Sequence, residues 1–211
     1  MDSEQRPTAA SVFDALGAEY ERAFAGSAAH RASLELLLEQ LDPGSRVLDI
    51  GSGTGRPTAQ ALTDAGHEVL GVDVSPVMVD IASRQVPAAE FRCADIRELP
   101  LADGSFDAVC VYFSLLQLSR AEQADVLRLT ARALRPDGHL AVATVPLDVE
   151  GVSGTFMGQP VQVTSFGEDA FTELVTGAGF TVLAQETDLF VPDHPAAVPE
   201  PHLFVLARRR S

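Results

Sequence analysis

The stretch Val47-Leu48-Asp49-Ile50-Gly51-Ser52-Gly53-Thr54-Gly55 constrains this chain more than any other. A short apolar run, Arg46–Ile50, flanked by glycines reads as a buried strand. Glycines at alternate positions then form a loop, and a helix is expected from about Gly55 to Ala65, closed by Gly66. Strand, glycine loop and helix in that order suit an open α/β sheet, whose ligands bind outside the carboxyl ends of the strands. Glycine lets the backbone approach a ligand with no Cβ in the way. The helix N-terminus beyond the loop offers free N–H groups to an anion.

The rest of the chain repeats the alternation. Strands are expected at 67–72, 90–94, 106–112 and 139–145. Ser75-Pro76 reads as N-cap and first helical position of a helix to about Gln85. Ala124, Leu127, Ala131 and Leu134 form one face of a helix over 120–135, and Pro136-Asp137-Gly138 turns it into the next strand. Residues 8–41 read as helical, ending at Asp42-Pro43-Gly44. Phe13, Leu16, Tyr20 and Phe24 share one face there, which predicts a helical lid over the site. Residues 146–165 carry no helical period and read as a loop with at most a short strand at Val161–Thr164. A helix follows over 168–178, then strands at 180–190 and 202–207. The link between those two strands holds four prolines and is too short for a crossover helix, so the last pair should be an antiparallel hairpin. The expectation is an α/β Rossmann-like, seven-stranded sheet in the order 3-2-1-4-5-7-6, strand seven antiparallel, with helices on both faces. With 211 residues, one domain spanning 1–211 is expected, in three parts: 1–42, 43–145 and 146–211.

Composition narrows the partners. The formal charge is −15, which argues against nucleic acid and against anionic membranes. No run approaches the length of a membrane span, and the polar start MDSEQRPTAASVFDALG shows no signal pattern, so a cytoplasmic enzyme is expected. Cys93 and Cys110 lie in apolar, strand-like stretches and read as buried thiols. The five histidines are scattered, so no metal is expected.

The dinucleotide fingerprint needs Gly or Ala at the position of Arg56; here the third glycine comes one residue early. Strand two ends Gly71-Val72-Asp73, and an acidic residue there suits a ribose in either kind of site. Four segments in order then resemble the class I S-adenosylmethionine (SAM)-dependent methyltransferases, small-molecule type: VLDIGSGTG, GVDVSPVMVDIA, CADIRELPLADGSFDAV and LRPDGHLAV. The resemblance is specific over about 45–145 and makes that part a SAM-binding core. Residues 1–42 become the helical lid, and 146–211 the acceptor-side loop, helix and terminal hairpin.

The resemblance implies roles residue by residue. Gly51, Ser52, Gly53, Thr54 and Gly55 would line the methionine part of SAM. Asp49 would receive the ammonium or brace the loop. Asp73 would hold the ribose. Val74 and Met78 would pack on the adenine, with plain core packing equally open to Met78. Asp95 would accept from the adenine amino group, with the Ile96 N–H facing the ring. Tyr112 and Phe113 end strand four beside the departing methyl group, unless they are core aromatics. Tyr20 on the leading helix is a further candidate for touching SAM, and Phe24 on that helix, Phe113, and Phe156 and Met157 in the 146–165 loop are the candidates for the acceptor. His30 could serve as a base if its helix covers the site, but it reads better as a surface residue, and His194 and His202 stand no higher. Asp148 and Glu150 read as solvated, with a cationic amine as the alternative. The implied activity is transfer of a methyl group from SAM to an O, N or C nucleophile of a small organic acceptor, by proximity and orientation. The product is S-adenosylhomocysteine (SAH). A nucleotide-binding oxidoreductase, or a SAM-fold protein without methyl transfer, are the competing readings.

Overall fold

The computed structural model describes residues 8–196 and 198–211. Its main sheet has seven strands. Five are parallel: β1 (Arg46–Ile50), β2 (Glu68–Asp73), β3 (Glu90–Cys93), β4 (Phe106–Tyr112) and β5 (Leu134–Thr144). Two strands, β8 (Phe180–Phe190) and β9 (Glu200–Arg209), close the sheet as an antiparallel hairpin, and β9 runs antiparallel to β5. The order β3-β2-β1-β4-β5-β9-β8 is the expected topology, with β8 and β9 as the expected sixth and seventh strands. The Pro136-Asp137-Gly138 turn survives as an irregularity inside β5, where the register with β4 jumps and Asp137 takes a left-handed φ of 61°.

Alternation along the buried strands sends neighbouring side chains to opposite faces. Leu48 and Ile50 join Val109, Leu127, Phe171 and Phe180 on the face covered by α6 (Arg120–Ala133) and α7 (Glu168–Gly177). Val47, Cys110 and Phe204 join Leu37 and Leu62 on the face covered by α3 (Ala28–Leu38) and α4 (Thr58–Asp64). Side chains such as Leu48 and Leu37 are fully buried, worth about 1.5–3 kcal/mol each. Cys110 is buried as expected, but Cys93 is exposed, because β3 is the edge strand and its far side is open to water.

Two elements differ from the sequence reading. Residues 8–24 form two helices, α1 (Ala9–Leu16) and α2 (Ala18–Phe24), because Gly17 turns the chain at φ 49°. Residues 146–165 form a hairpin of β6 (Val149–Phe156) and β7 (Gln159–Ser165), turning at Met157-Gly158; β7 contains the short strand expected at Val161–Thr164, and β6 lies where a loop was expected. Hairpin and leading helices pack on each other in a third apolar cluster: Val12, Leu16 and Ala23 with Met157 and Val161, and Phe13, Tyr20, Phe24 and Phe156 beside them. This roof is pinned to the sheet domain by polar contacts. Asp14 accepts from the Ser75 hydroxyl at the start of α5 (Pro76–Gln85), and Glu21 accepts from Gln85. No described helix is long and apolar enough to cross a membrane.

Candidate active site

β1 delivers Asp49 and the glycine loop to the carboxyl edge of the sheet. Gly51 sits at φ 72°, and a Cβ there would lie 2.2 Å from the Ser114 Cβ, so only glycine fits. Ser114 in turn donates to the Ile50 carbonyl at 2.8 Å and locks the loop against the end of β4. Gly53, at φ 51°, has open space where a Cβ would project. Phe113, just past β4, holds a left-handed φ of 57°, strain that a non-glycine residue keeps only where its surroundings enforce it.

Asp73 ends β2, and both its oxygens are engaged: Oδ2 accepts from the Gly53 N–H and Oδ1 from the Ser75 N–H, each at 2.9 Å. It braces the loop and α5 together, keeping one further lone pair per oxygen. Burial raises its pKa, and those backbone donors work against the shift. Asp49 is 2% exposed and its Oδ2 has no hydrogen-bond partner. Burial first, and the Asp73 charge second, push its pKa up to about 7. Ser52 Oγ and Thr54 Oγ1, also buried, lack partners too. Buried polar atoms without partners are rare, and three around one glycine loop call for a polar ligand.

Three cavities meet here. The first, about 560 Å³, runs from Gly51–Thr54 and Asp49 past Tyr112 and Phe113 to His30, Arg31 and His202. The second, about 320 Å³, runs from Asp73, Val74 and Met78 to Asp95 and Ile96. The third, about 230 Å³, lies under the roof between Phe24, Phe113, Phe156, Val161 and Glu200. Tyr20 and Phe113 border all three.

The expected residues therefore gather, with three qualifications. Gly55 faces away, toward Phe91 and Val86, and shapes the loop from behind. Met157 packs into the roof cluster rather than onto a cavity wall. Asp95 is already held by Arg97, whose guanidinium spans its two oxygens and lowers its pKa; Arg97 also reaches Glu122 of α6. Asp148 and Glu150 face Arg120, at 2.7 and 4.0 Å. His194 pairs with Glu19 at 3.5 Å.

The surface readings of His30 and His202 do not hold. His30 is partly buried, its ring 4.2 Å from Tyr112 and its Nε2 3.2 Å from Thr58 Oγ1. Burial, then His202 and Arg31, lower its pKa to about 3. His202 is 1% exposed and bound to Glu200. The period-two spacing of Glu200, His202 and Phe204 was the available signal that these residues share a strand face. Among the described residues, no three metal-ligating side chains cluster.

Comparison with known proteins agrees with this geometry. A family model described as a methyltransferase domain matches residues 47–138, from β1 into β5. A demethylmenaquinone methyltransferase of Beutenbergia cavernae is 43% identical over 115 residues, 54% of this chain and 45% of that protein. An O-methyltransferase of Pyrenophora dematioidea is 31% identical over 173 residues, 74% of this chain and 62% of that protein. The chain thus spans about half the length of the curated relatives it matches. Among solved structures, the Burkholderia thailandensis 1,6-didemethyltoxoflavin-N1-methyltransferase, with bound 1,6-didemethyltoxoflavin and SAH, has the same fold. Its TM-score is 0.72 at 24% identity, covering 100% of this chain and 98% of that one. Residues 47–138 thus match a methyltransferase domain, and the chain is similar in sequence to methyltransferases and in fold to S-adenosylmethionine-dependent ones.

Proposed function

We propose that this chain binds SAM along the first and second cavities and transfers its methyl group to a small organic acceptor held in the third. The observation that carries this reading is the set of three buried, partnerless polar atoms, Asp49 Oδ2, Ser52 Oγ and Thr54 Oγ1, around the glycine loop. They fit the ammonium and carboxylate of an amino-acid tail. Asp49 receives the ammonium and ionises as it does so. Asp73 offers its remaining lone pairs to the ribose hydroxyls. Val74, Met78 and Ile96 enclose the adenine, and Asp95 faces its amino group.

SAM supplies an activated methyl group on a sulfonium. The protein's share is to hold the acceptor atom in line and keep water out, and such positioning is worth roughly 7–11 kcal/mol. Tyr20, Phe24, Phe113 and Phe156 close the reacting end, with Tyr20 and Phe24 stacked at 4.9 Å. The acceptor side is apolar, and no Lys or Arg occurs anywhere in 136–207, which favours an uncharged small molecule over a phosphate-bearing polymer.

Calorimetric titration with SAH and with NADH tests the cofactor, and transfer of labelled methyl from SAM tests the reaction. SAH is expected to bind and NADH not. Transfer to small-molecule extracts, but not to tRNA or DNA, is expected. The opposite pattern in either assay defeats the reading.

A further inference from the structure

β9 begins Glu200-Pro201-His202-Leu203-Phe204, and residues 200, 202 and 204 point to one face. His202 Nε2 lies 2.9 Å from Glu200 Oε1. An ionised carboxylate only accepts, so Nε2 carries the proton and Nδ1 presents a lone pair. Nδ1 has no hydrogen-bond partner. The imidazole is packed among rings, 4.4 Å from Phe113, 5.2 Å from Phe190 and 6.2 Å from Phe24, centre to centre.

Placement gives this pair its meaning. His202 lines the first cavity together with the glycine loop, and Glu200 lines the third together with Phe24, Phe113 and Phe156. The dyad stands between the place for SAM and the aromatic chamber. A histidine–carboxylate pair buried among phenylalanines is not needed for packing, since an apolar side chain would fill the same space without the desolvation cost. The other imidazole in the cavity, His30, is tied to Thr58 Oγ1 and held neutral, a poor proton acceptor.

We propose that His202, oriented by Glu200, accepts the proton of a hydroxyl group on a planar phenolic or enolic acceptor stacked among Phe24, Phe113 and Phe156. The proposal deepens the methyl-transfer reading above and rests on it. A flat ring matches the aromatic walls. A neutral phenol or enol is a weak nucleophile, so this acceptor class gains from a proton acceptor at its oxygen. In the step, the acceptor oxygen forms a bond to the methyl carbon and the S–CH3 bond breaks. The bonding pair stays on sulfur, leaving neutral SAH. The hydroxyl proton moves to Nδ1, and the imidazolium is balanced by Glu200 until it releases a proton to water. Glu200 is a positioning residue here. The charged and titratable groups around His202 are Glu200 on its own strand, Asp188 in register on β8, Tyr20 on α2, and His30 and Arg31 on α3.

The probe is 4-nitrophenol, whose ionised form has its own visible absorbance. The full chain saturated with SAH is titrated with it across pH, alongside His202→Gln and Glu200→Gln. Bound to the parent, the phenol should ionise about one pH unit or more below its free value, a tenfold shift in equilibrium. Both variants should lose that shift, and Glu200→Gln, which borders only the third cavity, should bind SAH as the parent does. No phenol complex, or the same shift in all three proteins, overturns the dyad. If His202→Gln fails to fold, as loss of SAH binding would reveal, Glu200→Gln decides alone, since its change is nearly isosteric and partly exposed. Failure of the parent to bind SAH would instead defeat the underlying methyl-transfer reading.

Discussion

Replacing Asp49 by Asn should make the ligand-free protein gain stability relative to the parent as pH rises. Asp49 is buried, and burial pushes its pKa up from the ordinary carboxylate value of 3.8 to about 7. The unfolded chain therefore gives up this proton near pH 4, while the folded chain keeps it until about pH 7. Between those values the folded state binds more protons, so the parent loses stability as pH rises through the window and levels off above it. Integrating the two pKa values gives a cost of about 2.3 kcal/mol at pH 5.5 and about 4.3 kcal/mol at pH 8, a difference of about 2 kcal/mol. Any fixed cost of placing an amide at this site is common to both pH values and cancels in that difference. Neutralising position 49 also eases the burden on Asp73, which acts in the same direction. The assay is urea unfolding of parent and variant at both pH values without ligand. The stability of the variant minus that of the parent should rise by about 2 kcal/mol from pH 5.5 to pH 8. A flat difference would refute the assignment of the proton to Asp49. The same substitution should weaken SAH binding at pH 8 by roughly 10–150-fold, the worth of one charge-assisted hydrogen bond of about 1.5–3 kcal/mol. A variant more stable yet worse at binding is the signature of a group placed for a ligand.

Other expectations concern the loop and the roof. Gly51→Ala should cost about 3 kcal/mol, from left-handed strain plus overlap with Ser114, whereas Gly53→Ala, which meets nothing, should cost about 1 kcal/mol; equal losses in chemical denaturation would contradict the geometry. Asp73→Ala removes the acceptor of two backbone N–H groups at the ribose end, so SAH affinity by calorimetry should fall at least about 100-fold. Phe156→Ala should raise the acceptor KM and leave SAH affinity nearly unchanged; a parallel loss of both would place Phe156 against SAM instead. SAH should increase amide-exchange protection over 8–25, and unchanged protection would make α1 and α2 static cover rather than a closing roof.

The parallel core was legible because each strand is a compact apolar run punctuated by glycine, proline or a capping serine. Ser75 does cap its helix, as its side chain accepts from the Met78 N–H. The β6–β7 hairpin was not legible, since β6 is exposed along nearly its whole length and its register shifts near Val149, leaving no alternation of apolar residues to detect. The break at Gly17 was hidden by an apolar spacing that continues across it. Phe13, Tyr20 and Phe24 still converge, with Phe13 and Tyr20 edge to face at 5.4 Å. At the site, the glycine loop and Asp73 announce themselves by local pattern. His30, His202 and Arg97 reach the cavities through tertiary packing, and a lone residue has no period to betray where its strand or helix will be set.

The reversal of β9 has a chemical consequence. The parallel strands bring their final residues to the edge where ligands bind, so Asp49, Asp73 and Tyr112 all come from strand ends. An antiparallel strand at the same edge arrives with its first residues instead. Glu200 and His202 open β9, and they stand beside Phe113 only because that strand runs backwards; in a parallel orientation they would sit at the opposite rim of the sheet, a strand's length from the glycine loop. The proline-rich link before β9 touches α2 as well, through Asp193 and the Ala23 carbonyl. One inverted strand thus lets Glu200 and His202 supply polar groups to a rim whose glycine loop, Asp49 and Asp73 lie far earlier in the chain.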